Sequence, residues 1–116
     1  MIKGRVFAVQ RPAYYDKTKR GWVNKYDITP AEEHGEIIFL LNPGNIYRDK
    51  LAGAIRRLHE QLADFGRPGD HILAIGDPVA IAAAVMVASS KAHECISILK
   101  YDRIAKRYDP YSVDIT

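Results

Sequence analysis

Three hydrophobic patterns alternate along the chain. The first is the unbroken apolar run, as in Ile72, Leu73, Ala74 and Ile75, and again in Ile37 to Leu41 after Glu36. A strand covered on both faces reads this way, because neither set of alternating side chains may meet water. The second is helical spacing. Leu51, Ile55, Leu58, Leu62 and Phe65 step by four, three, four and three, giving one apolar stripe. Arg48, Arg56, Arg57, Glu60, Gln61 and Asp64 fall off that stripe and should face water; Gly66 and Pro68 end the helix. The third is alternation with a period of two. Residues 2–10 alternate loosely around Val6, Ala8 and Val9 and predict a first strand, closed by Arg11-Pro12. Residues 22–28 set Trp22, Asn24, Tyr26 and Ile28 against Val23, Lys25 and Asp27, predicting a returning hairpin strand.

A helix over residues 78–88 fits none of these patterns, since no polar residue occurs from Val79 to Ala88. Gly76 ends the preceding strand, Asp77 offers a carboxylate to the free amides of the first turn, and Pro78 occupies the position where helices accept proline. The run is about half of the 20 or so residues that a bilayer requires. It predicts a core helix wrapped by the sheet of the same chain, with packing against a second copy as the alternative use of its other face. Residues 95–101 and 108–115 complete the pattern as two more strands, the last with Tyr111, Val113 and Ile115 on one face. Residues 30–35 form a connector, or one helical turn capped by Thr29; Asn42-Pro43-Gly44-Asn45 is a turn.

The predicted order is β-β-β-α-β-α-β-β over a single domain, residues 1–116. The fold class is α/β: a small mixed sheet with a parallel β-α-β-α-β middle, antiparallel hairpins at its edges and two main helices. One cysteine, Cys95, excludes an internal disulfide framework and a cysteine-based zinc site. The N-terminal MIKGRVFAVQRP has no signal-peptide pattern, which makes the cytoplasm the expected compartment, with no membrane contact. A net charge of +3 suits an acidic partner without demanding one.

Chemistry concentrates in three places. Arg11, Tyr14, Tyr15, Lys17, Lys19, Arg20, Trp22, Lys25 and Tyr26 combine cations that neutralise phosphates with rings that stack on unpaired bases. The plain alternative is that Trp22 and Tyr26, which share a face by parity, point into the core. Arg103, Lys106 and Arg107, with Lys100, Tyr101 and Tyr108, repeat this composition in a second turn. Two such turns reinforce each other if they lie on one side of the molecule. The third place is a pair of loops beyond the predicted strand ends, Asn42, Gly44 and Asn45 in one and Gly76 and Asp77 in the other. Ligands of open α/β sheets settle there, and a nucleotide or other anion is the candidate. Asp77 argues against this by placing a carboxylate where a phosphate would sit, and Pro78 removes an amide. Neither loop is a G-x-G-x-x-G or a P-loop.

His34, His59, His71 and His93 are scattered, so no metal site is expected, and no cofactor is implied. His93, Glu94 and Cys95 are adjacent on an extended chain and cannot converge on one side. The reading therefore leans away from an enzyme.

The segments KYDITPAEEHGEIIFLL, ILAIGDPVAIAAA and ILKYDRIAKRYDPYSVDI resemble a group of short uncharacterised proteins encoded by tailed bacteriophages and related prophages. The resemblance covers most of the chain after Trp22 and implies expression in an infected bacterium. It transfers no functional residue. The combined expectation is a non-enzymatic phage accessory protein that binds a macromolecule, host protein or nucleic acid, through its basic aromatic hairpins. A nucleotide- or anion-binding domain and a structural homodimer are the alternatives.

Overall fold

In the computed structural model, which describes residues 4–25, 27–92 and 94–115, the apolar runs assemble into one five-stranded sheet. Its strands are β1 (Arg5–Gln10), β4 (Glu36–Leu41), β5 (Asp70–Leu73), β6 (Cys95–Asp102) and β7 (Arg107–Asp114). A separate two-stranded sheet pairs β2 (Ala13–Asp16) with β3 (Gly21–Asn24). The helices are α1 (Leu51–Gln61), entered through a 3-10 turn at Arg48–Lys50, and α2 (Pro78–Ser89); a further 3-10 segment covers Thr29–His34. The class is mixed α/β, as the patterning predicts.

Across the sheet the order is β4-β1-β5-β6-β7. β1 runs parallel to both β4 and β5, β5 parallel to β6, and β7 antiparallel to β6. Ranked by chain position the five strands read 2-1-3-4-5, with the fifth reversed. The 29–34 segment carries the chain from β1 to β4 on one face. α1 and α2 carry it back from β4 to β5 and on to β6 across the other. Opposite directions on opposite faces are what a single, right-handed crossover sense requires.

Two expectations need correction here. The first strand is an inner strand of the sheet rather than one arm of an edge hairpin. Phe7 and Val9 meet the helices while Val6 and Ala8 meet the opposite layer, and all four are at most 1% exposed. β4 and β5 pair with it, one on each side. Only the β6–β7 hairpin adds an antiparallel edge. The N-terminal hairpin pairs residues 13–16 with 21–24 and ends at Asn24, short of residue 28.

The second correction concerns α2. Its N-cap forms as expected, with Asp77 accepting from the Val79 amide at 2.8 Å. The sheet and α1, however, cover only one side, burying Ala80, Ala84, Val87 and Ala88. Val79 is 51% exposed and Met86 74%. A single helical layer on this face supplies nothing to cover the outward side, so the helix is not wrapped by its own sheet.

α1 follows its stripe: Leu58, Leu62 and Phe65 are buried, and Phe65 meets the Phe7 ring edge-on at 5.6 Å. On the opposite face Ile28 and Ala31 cover Val6, Ala8, Leu73 and Leu99. Thr29 begins its 3-10 segment without capping it; Asp27 instead accepts from the Thr29 amide at 2.9 Å and from its hydroxyl at 2.8 Å. At the amino end of the sheet Arg5 forks onto buried Asp70, at 2.9 and 2.7 Å, and also reaches Asp64. That clamp ties the start of β1 to the turn before β5.

Candidate functional site

The parallel strands all end at one edge of the sheet, and the chemistry collects there. β1 ends on Gln10, whose side chain is almost fully buried. Its Nε2 donates to the carbonyls of Asn42, at 3.0 Å, and Gly44, at 2.7 Å. Its Oε1 accepts from the Asp77 amide at 2.6 Å. One glutamine thus draws together the two loops that the sequence marks, Asn42, Gly44 and Asn45 with Gly76 and Asp77. Gly76 is required: its φ is +121°, and a Cβ there would lie 2.5 Å from Gln10 Oε1.

The amides that would hold an anion are engaged within the chain. Asp77 accepts from Ile46, Val79 and Ala80 amides, and the bonds from Ile46 and Val79 hold its carboxyl below the usual carboxylate range. A carboxylate of the protein therefore sits where a phosphate would be bound.

Both basic hairpins spring from this same edge. β2 starts three residues after β1 ends, and the second tip closes β6, which runs parallel to β1 with β5 between. At ordinary strand spacing the two roots are about 10 Å apart. Their tips share one construction. Asp16 Oδ1 accepts from the amides of Thr18 and Lys19, at 2.8 and 3.2 Å. Asp102 Oδ1 accepts from those of Ile104 and Ala105, at 2.9 and 3.1 Å, which holds its carboxyl low. Four residues after each aspartate the backbone turns left-handed, at Arg20 (φ 55°) and Lys106 (φ 56°). Among the described residues these two alone carry a positive φ without being glycine.

Charge follows the same geometry. Nine of the 17 Lys and Arg residues lie in residues 11–25 and 100–107, against two acids, Asp16 and Asp102. Both acids are occupied by turn amides. Lys17, Lys19, Arg20, Lys25, Arg103, Lys106 and Arg107 are exposed, and Arg11 is half-buried, its Nε donating to Asn24 Oδ1. Arg107 also pairs with Asp109 at 2.9 Å. Tyr14, Tyr15 and Trp22 are about half exposed, and Tyr15 meets Trp22 across the hairpin at 5.8 Å. Trp22 thus does not point into the core. Tyr26 lies outside the described residues, as does His93.

Sequence reasoning passed over Gln10 and Asp27. It also passed over the edge-on contact of His34 with His71, whose rings lie 5.5 Å apart on the face away from the helices. His34 Nε2 bonds the Tyr108 carbonyl and His71 Nδ1 the Ser97 hydroxyl. Among the described residues no cluster of three metal-ligating side chains occurs.

The family model described as Phage Pam3 gp32-like protein matches residues 4–115. The chain belongs to that family. No curated protein and no solved structure matches it. A Phage Pam3 gp32-like protein is a phage-family protein, in agreement with the likeness seen in the sequence. No helix among the described residues is long and apolar enough to cross a membrane.

Proposed function

We propose that this phage-family protein is a non-catalytic accessory protein acting in the cytoplasm of the infected cell. Its partner, on this reading, is single-stranded nucleic acid held across the carboxyl edge of the sheet. The observation that carries the reading is the pair of left-handed tip positions. A non-glycine residue pays about 1–2 kcal/mol for that conformation. Both hairpins nevertheless place a cation there, Arg20 and Lys106, where glycine would be most stable. Free cations for phosphates and half-exposed rings for bases are the two parts of a single-strand groove.

Fluorescence anisotropy with labelled single-stranded DNA and RNA tests this. Replacing Lys19 and Arg20 together by alanine removes two cations. At about 0.7 decades per phosphate contact in 0.1 M salt, the loss is roughly 25-fold. Unchanged binding by the double variant overturns the hairpin assignment. Affinity for a host protein with none for nucleic acid moves the same surface to the other macromolecule.

The anion-binding reading of the 42–45 and 76–78 loops is less well supported, because Asp77 already fills the helix N-terminus. A homodimer has an observation in its favour, the uncovered apolar side of α2 at Val79, Ala82 and Met86. Under that reading Met86→Lys lowers the sedimentation coefficient from dimer to monomer; a monomeric wild type removes it.

A further inference from the structure

We infer that the cleft between the β6–β7 hairpin and Asp27 is a pocket for one unpaired nucleobase, preferring guanine, a deepening that rests on the reading above. The cleft has a volume of about 560 Å³ and lies on the face of the sheet opposite the helices. Leu73 and Ile75 form its floor. Tyr101 forms a wall, half exposed, its ring tilted against buried Tyr108 at 5.1 Å across the β6–β7 pair. Arg103 brings positive charge to the rim, while the Lys100 ammonium turns to the other face, over the Tyr111 ring; Asp27 brings a carboxylate from the segment that follows β3.

Each part specifies a property of the occupant. The exposed Tyr101 face and aliphatic floor ask for a flat apolar ring, and stacking on such a platform tolerates any base. The Arg103 cation asks for an adjoining phosphate. Asp27 supplies the selection. Its oxygens each take one bond from Thr29, leaving acceptor capacity on both, and the ionised group can only accept. Guanine offers N1–H and the N2 amino group side by side, matching two carboxylate oxygens in a bidentate pair. Thymine and uracil flank their single N–H with two carbonyls that repel a carboxylate. The carboxyl edge of an open α/β sheet is also where ligands collect on general grounds.

The test compares labelled oligo(dT) 12-mers with and without one central dG, alongside free GMP followed by amide chemical shifts. A bidentate base contact predicts that the central dG tightens binding by about fivefold or more. Asp27→Asn should abolish that gain while leaving the all-dT oligomer within about twofold. Because Asp27 also holds Thr29, Tyr101→Ala serves as a second variant, its melting read alongside because the ring also covers Tyr108; it should remove the gain as well. Lys19 and Arg20 substitutions should weaken both oligomers equally, which separates the pocket from the hairpins. Equal affinity of wild type for the two oligomers overturns the pocket and leaves the hairpin reading standing. If neither oligomer binds, GMP shifts confined to Tyr101, Arg103 and Asp27 uphold the pocket alone, and their absence overturns it.

Discussion

Gln10 lies where the end of β1 meets the 42–45 and 76–78 loops, and its buried side chain makes three bonds that tie them together. Removing it leaves two carbonyls and an amide without this partner at a part-buried junction. Gln10→Ala should therefore cost about 2–3 kcal/mol, read as a lower urea midpoint. An unchanged midpoint would mean that water replaces the side chain without loss. His71 gives a pH prediction at the same scale. Burial, then the neighbouring His34, lowers its pKa from the ordinary 6.5, while Asp70 acts weakly in the other direction. The unfolded chain thus binds the proton more readily, so the stability from His71 is present above pH 6.5 and is lost as pH falls toward the lower folded value. Urea midpoints at pH 7 and 5.5 should differ more for wild type than for His71→Asn. Neither residue announces itself in the sequence. A glutamine at a strand end carries no periodicity, and His34 and His71 are 37 positions apart, brought together only by the 29–34 crossover.

At the scale of elements, the two hairpin tips were legible as composition, and Trp22 and the tip cations lie where that composition puts them. Their common turn was not legible, because it depends on Asp16 and Asp102 bonding to the backbone two and three residues on. That construction sets stability against charge. Lys106→Gly should raise stability by about 0.5–1 kcal/mol by relieving the left-handed lysine, yet weaken nucleic-acid binding. Thermal melting and anisotropy on the same variant check both halves; a gain in stability without loss of binding would detach the tip from function. α2 shows the limit of periodicity. An all-apolar helix declares that its faces avoid water, and only the number of layers in the fold decides which face finds cover. One layer covers Ala80, Ala84, Val87 and Ala88 and leaves Met86 outside.

The whole molecule was legible as a class and misread at one strand. Alternation reports which residues share a face, but not which strand lies alongside, so residues 2–10 were paired with the wrong neighbour. The run Val6-Phe7-Ala8-Val9 reports cover on both faces, but edge strand β4 carries the same signal in Ile37–Leu41, so only the pairing itself places β1 inside. Placing β1 inside the sheet makes the N-terminal hairpin project from the carboxyl edge, where β6 and β7 turn as well. The account depends on that shared edge working as one surface. The measurement that tests it most directly is the salt dependence of single-stranded DNA binding by the wild-type protein, over a roughly sixfold range from about 0.05 to about 0.3 M. A linear fall of log K against log salt with a slope steeper than about −2, flattened by substitutions at either tip, is the predicted result. No binding at the lowest salt, or a slope that only one tip affects, would contradict it.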